Sequence, residues 1–185
     1  MQTSIIDVFA RIVRKLSGNT PVSMMAYNGE CYECKPDITY IFGDSQYIKD
    51  QLDEYSKGTE VDKLPLIALF TPVKERRGLQ DIASESKVSM IIACSSRKEW
   101  TNEERKQYSF ENVLRPIYEA FLASLDADYE VVREYNESRP HTYSENYSYG
   151  RYGAYTSNGD EVSEPIDAIN ISDLQISIKY KTCTR

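Results

Sequence analysis

Two uninterrupted apolar runs constrain this chain more than any other feature. They are Leu64-Pro65-Leu66-Ile67-Ala68-Leu69-Phe70 and Val88-Ser89-Met90-Ile91-Ile92-Ala93-Cys94. Runs of this length, rich in branched side chains, suit central strands covered on both faces, so the fold needs layers above and below one sheet. Pro65 is expected at the start of its strand, where no ladder donor is lost. The stretch between the runs, 74–87, is charged and polar, with Arg76-Arg77-Gly78 at its apex, and reads as a long hairpin loop.

Three helical patterns supply the covering layers. Ile5, Ile6, Phe9, Ile12, Val13 and Leu16 recur at helical spacing, with Thr3 or Ser4 as the cap and Gly18 as the stop. A second helix is expected over 45–57, capped by Asp44 or Ser45, striped by Ile48, Leu52 and Tyr55, and ended by Gly58. The third is capped by Asn102 and striped by Phe110, Val113, Leu114, Ile117, Tyr118, Phe121, Leu122 and Leu125. Pro116 interrupts it, so the helix either kinks there or restarts with Pro116 in its first turn.

Residues 22–43 read as a β-hairpin around Asn28-Gly29, two residues that tolerate positive φ. Residues 129–135 alternate as a strand. A closing strand carries Ile171 and then Leu174, Ile176, Ile178 and Tyr180, with Asp173, Gln175, Ser177 and Lys179 between them. The expected class is α+β: one domain over 1–185 with a mostly antiparallel or mixed sheet, flanked by about three helices in the order α-β-β-α-β-β-α-β-β.

Residues 136–165 have a different character. Within them, 143–155 are dense in Tyr, Ser, Gly and Asn and hold no aliphatic side chain larger than Ala154. Such a stretch cannot build a core, and it reads as a long loop or arm. Tyrosine offers rigid amphipathic contact area beside adaptable Ser, Gly and Asn, a palette that suits protein contact. Tyr143, Tyr147, Tyr149, Tyr152 and Tyr155 are the candidate interface residues. Trp100, in a polar linker, joins them as a core lid or an interface anchor. Lys74, Arg76 and Arg77 form a candidate docking edge.

Signals for chemistry are sparse. Twenty-nine acidic residues against 22 basic ones give a net charge of −7, which argues against tracking nucleic acid. Cys31-Tyr32-Glu33-Cys34 has CxxC spacing, but it follows a turn instead of opening a helix, and no second ligand pair accompanies it. His141, the one histidine, lies in Arg139-Pro140-His141 and reads as an exposed loop residue. No catalytic, cofactor-binding or metal-binding residue is assigned. Nothing in the sequence reads as a leader or as a membrane helix of roughly 18 apolar residues.

Several phrases of the sequence resemble one protein family. They are 64–78, from Leu64 to Gly78; Val88-Ser89-Met90-Ile91-Ile92-Ala93; Trp100-Thr101-Asn102-Glu103-Glu104-Arg105; Val113-Leu114-Arg115-Pro116-Ile117-Tyr118; and Asp167-Ala168-Ile169-Asn170-Ile171. Together they resemble the tail terminator, tail completion and head–tail connector proteins of tailed phages, especially phages of gut Bacteroidales, including crAss-like ones. The likeness spans 1–135 and 165–183; the tyrosine stretch and the CxxC depart from it. It implies a tail-terminator-like fold and a non-enzymatic virion subunit, assembled in the host cytoplasm into a six- or twelve-fold ring. The implied partners are further copies, a portal, and a neighbouring connector ring or tail proteins, with DNA passing through the lumen. Two other readings stand beside it: a cytosolic adaptor domain that binds through the tyrosine stretch, and an enzyme with a Cys/His or metal site.

Overall fold

The computed structural model describes residues 4–26, 28–57, 63–78, 83–133, 139–155 and 161–179; of these, 53–57, 150–155 and 161–164 are described by backbone alone. The elements are α1 (Ile5–Leu16), β1 (Val22–Met25), β2 (Cys31–Cys34), β3 (Thr39–Gly43), α2 (Ser45–Lys57), β4 (Leu66–Phe70), β5 (Glu75–Arg76) and β6 (Ala83–Ser95). They continue with α3 (Asn102–Arg105), a π-helical segment (Lys106–Leu114), α4 (Arg115–Asp126), β7 (Thr142–Tyr155) and β8 (Glu161–Lys179). The class is α+β, as expected.

The main sheet runs β3-β4-β6-β8-β7, with β5 pairing on β6. It is mixed: β3 and β4 are parallel, joined through α2, and the other pairs are antiparallel. Both apolar runs lie in its centre. Ile67 and Leu69 of β4, with Met90 and Ile92 of β6, join the core beneath α1, the π-helical segment and α4. Leu66 and Ala68, with Ile91 and Ala93, turn the other way, into a second core with Ile48 and Leu52 of α2. A strand with helices on both faces has no solvent side, which is why neither run alternates with polar residues.

The side-chain period breaks once in β8, where the sequence steps from Ile171 to Leu174. Two residues, Ser172 and Asp173, oppose Ser89 there, and Asp173 has a φ of 56°. This bulge inserts one residue, so Ile169 and Ile171 share a face with Leu174, Ile176 and Ile178.

Several boundaries differ from the sequence expectations. The expected single hairpin over 22–43 is divided. β1 and β2 pair around the Asn28-Gly29 turn, and β3 leaves them to lie parallel to β4. The strand expected at 129–135 is a lone bridge, Val131 to Ile178, among the described residues. The third helix is capped by Thr101, one residue earlier than expected, through a reciprocal capping box with Glu104. Pro116 sits in the first turn of α4, and the helix reaches it through π-helical turns. A proline ring crowds the carbonyl four residues back in an α-helix and offers no N–H, and wider turns upstream relieve both. Tyr55 lies where only backbone is described, and Gly58 lies outside the described residues.

The long tyrosine loop is corrected most. Residues 142–155 form strand β7, and β8 begins at Glu161, not near Ile171. Small and hydroxylated residues cannot build a core, but they can form an edge strand that borrows its burial from neighbours.

At the start of α1, the Ser4 hydroxyl accepts the Asp7 amide at 3.2 Å. Ser4→Ala is expected to cost about 1 kcal/mol in urea unfolding, the usual effect of losing an N-cap oxygen. A change below about 0.3 kcal/mol would show that this cap contributes nothing.

Candidate interaction surface

β7 is the edge strand, and its tyrosines do two things at once. Tyr143, Tyr147 and Tyr149 keep 38%, 37% and 37% of their surface exposed. Two of them also brace the strand against the third helix. Tyr143 meets Tyr118 edge-on at 5.1 Å, and Tyr147 packs on Phe110 with ring centres 4.5 Å apart. Tyr152 and Tyr155 continue the strand, opposite Glu164 and Glu161.

Polar bonds fix the same seam. The Tyr143 hydroxyl donates to Glu145 Oε1 at 2.6 Å, and Arg115 Nε donates to the same oxygen at 2.8 Å. Burial pushes the Glu145 carboxyl up, but the Arg115 guanidinium and the Tyr143 hydroxyl outweigh it and hold the group below the ordinary carboxylate range. Burial first, and Glu145 second, push the Tyr143 phenol up. Burial also raises Tyr118, Tyr147 and Tyr149, so these rings are neutral contact groups at physiological pH.

His141 belongs to this seam and is half-buried, not the exposed loop residue expected. Its Nδ1 lies 2.6 Å from the Arg139 carbonyl, which can only accept, so Nδ1 carries the proton. Nε2 then accepts from the Tyr118 hydroxyl at 2.7 Å. Arg139 is buried and donates to Asp126 Oδ1 at 2.7 Å and to the Val132 carbonyl at 2.8 Å.

The other candidates lie apart from this strand. Trp100 is half-buried between the Arg97 guanidinium, 5.3 Å from its ring centre, and the Tyr108 ring at 5.2 Å. Lys74, Arg76 and Arg77 surround β5. Arg77 pairs with Glu75 at 2.8 Å, and exposed Arg76 lies 3.9 Å from Glu85. Lys74 and Arg76 line an open depression of about 670 Å³ with Lys87, Gln175 and Ser177 and, among the described residues, none of β7. A second open depression, of about 540 Å³, lies at the C-terminal end of the opposite edge strand β3, where Phe42 and Tyr47 are exposed.

Cys31 and Cys34 are free thiols three residues apart on β2, so their side chains leave opposite faces of the strand. Cys31 is exposed, while Cys34 turns toward the core, where burial pushes its thiol up. Among the described residues, no three His, Cys, Asp or Glu side chains gather to hold a metal ion. Also among the described residues, no helix is long and apolar enough to cross a membrane.

Sequence reasoning missed one cluster. Asp167 and Arg105 are buried where the third helix meets the sheet, and Ser148, an exposed residue of β7, bonds to both. The available signal was Asp167 itself, a carboxylate at a core position between Ile166 and Ala168-Ile169.

A scan of protein-family models and a search of the curated proteins return no match to this chain.

Proposed function

We propose that the chain is a non-enzymatic ring subunit of a phage neck, a connector or tail terminator that joins portal to tail around a DNA channel. The observation that carries this reading is the exposed row of Tyr143, Tyr147 and Tyr149 on an edge strand held rigid by α4 and the π-helical segment. Aromatic groups fixed before binding lose little conformational freedom on contact, which is what an assembly surface requires.

The sheet adds a geometric argument. Its edge strands, β3 and β7, lie on opposite sides and differ in residues. A contact from one side of a copy to the other side of the next is heterologous, and heterologous contacts close into rings when the rotation allows. Phe42 and Tyr47 give the β3 side its own exposed aromatic groups. The tail-terminator-like fold, the six- or twelve-fold ring, the virion location and the portal and tail partners rest on the resemblance of the sequence.

Light scattering on purified protein, with electron microscopy of the same sample, tests the proposal. The expected result is closed rings, formed alone or on a purified portal. Tyr149→Ser is expected to weaken assembly at least about fivefold in the concentration for half-association, the effect of losing a hot-spot tyrosine that carries more than about 1 kcal/mol. A chain that stays monomeric at every concentration, and binds neither portal nor tail tube, would overturn the reading.

A further inference from the structure

We infer that the outer half of the β7–β8 hairpin is a hinged unit, pinned to the helical layer by Arg105, Asp167 and Ser148. The inference concerns the free chain and does not depend on the ring reading.

The hairpin outgrows its sheet. β6 ends at Ser95, which pairs with Ile166. The Ser96 amide still donates to the Pro165 carbonyl at 2.8 Å, and beyond Pro165 the described strand partner of β8 is β7 alone, as far as Glu161 opposite Tyr155. Two strands without a third are marginal in water, so this pair relies on other contacts: the packing of β7 against α2 and the cluster at its root.

Both strands are irregular at that root. The register of β7 on β8 shifts between Asn146 and Gly150. Inside the shift, Ser148 has a φ of 63°, in the left-handed region that side chains other than glycine seldom adopt. On β8, Pro165 brings no N–H to the ladder. The bulge lies opposite Asp167, and Pro165 lies two residues away on the same strand as Asp167, opposite Arg151.

A buried ion pair grips this point. Asp167 is fully buried, directly opposite Cys94 on β6 and on the face that the π-helical segment covers. Its Oδ1 accepts the Ser148 amide at 2.9 Å and lies 3.6 Å from Arg105 Nη1. Arg105 is 7% exposed, and the same Nη1 donates to the Ser148 hydroxyl at 2.7 Å. One left-handed residue is thus held by its amide from the sheet and by its hydroxyl from the helix.

The charges have little else to do. Arg105 Nε and Asp167 Oδ2 are buried without a hydrogen-bond partner among the described residues. An ion pair in this condition is a poor source of overall stability, and its value lies in selecting one geometry. That geometry exists only while the bulge is seated, so the pair reports on and fixes the closed hinge. When the pin lets go, residues 150–155 and 161–165 move together and the core strands stay in place.

Hydrogen exchange on the purified full chain tests this. The double variant Arg105→Met/Asp167→Asn removes both charges and leaves neither buried alone. It is expected to speed exchange of the amides of 150–155 and 161–164 by about tenfold or more, with those of 67–69 and 90–93 within about twofold of wild type. Ser148→Ala, which removes a single hydroxyl and leaves the fold intact, is expected to speed the same outer amides by about threefold. Equal acceleration of the core and outer amides would show that the cluster is only a general stabiliser. Unchanged outer amides in both variants would show that no pin exists. Either result overturns the inference.

Discussion

Replacing Phe121 with alanine is expected to lower stability by about 3–5 kcal/mol. Phe121 is fully buried on α4, and its ring lies 5.1 Å from that of Phe9, fully buried on α1. The pair joins the two helices of one layer, and both belong to the core that also takes Ile67, Leu69, Met90 and Ile92 from the sheet. Truncation removes the transfer free energy of the ring and leaves a cavity that close-packed neighbours only partly fill. Phe9 also loses its tilted aromatic partner, a contact of about 0.5–1.5 kcal/mol beyond area burial. A domain of this size has roughly 5–15 kcal/mol in all, so the loss is a large share of the total. Urea unfolding is the measurement, with the midpoint falling and the slope unchanged. Phe121→Leu keeps most of the volume and is expected to cost less than half as much. A loss below about 1.5 kcal/mol for Phe121→Ala would mean that α1 and α4 do not pack as described.

What was readable in the sequence follows the physics of each element. The central strands and α1 were legible because a buried face leaves a periodic trace. Ile5, Val8, Phe9, Ile12, Val13 and Leu16 line one side of α1, and β4 and β6 are apolar on both sides. The bulge in β8 was visible as the step from Ile171 to Leu174, although its meaning needed the register.

The tyrosine stretch was misread because an edge strand carries no such trace. Its backbone is paired by β8, and the Tyr143 and Tyr147 rings rest on residues more than 20 positions away, Tyr118 on α4 and Phe110 on the π-helical segment. Composition marked 143–155 as a segment for protein contact and wrongly implied a loop. The buried pin was illegible for a related reason. Arg105 looks like one more surface cation beside Lys106, and only the long-range pairing of Cys94 with Asp167 brings it against a carboxylate. The π-helical segment arises from a local conflict around Pro116, whose presence was noticed but whose relief could take several forms.

Asp128 gives the second large effect, and it carries a sign in pH. Its side chain is buried just beyond the end of α4. Its two oxygens accept Arg11 Nη2 at 2.7 Å and Nε at 3.0 Å, a two-pronged contact from α1. Oδ1 also accepts the Glu130 amide at 3.0 Å, and Glu130 Oε2 lies 2.8 Å from Arg11 Nη1. Asp128→Ala leaves the Glu130 amide and two guanidinium donors without their acceptor. Arg11 keeps about a quarter of its side chain exposed and retains Glu130, which moderates the loss. The expected cost at pH 7 is about 2–3 kcal/mol, below that of breaking a fully buried pair. Burial alone would push the Asp128 carboxyl up, but the Arg11 bonds, the Glu130 amide and the charges of Arg11 and Lys15 outweigh it and hold the group below its ordinary value. A carboxylate depressed in the folded state stabilises fully above its unfolded value, near 4, and loses that contribution as the pH falls through the lower folded value. The stability gap between wild type and Asp128→Ala should therefore be constant from about pH 7 to pH 5 and narrow below about pH 4. Urea unfolding at a series of pH values reads this directly. A gap that stayed constant to about pH 2.5, with both proteins folded, would show that the Arg11–Asp128 contact contributes packing but no charge-dependent stability.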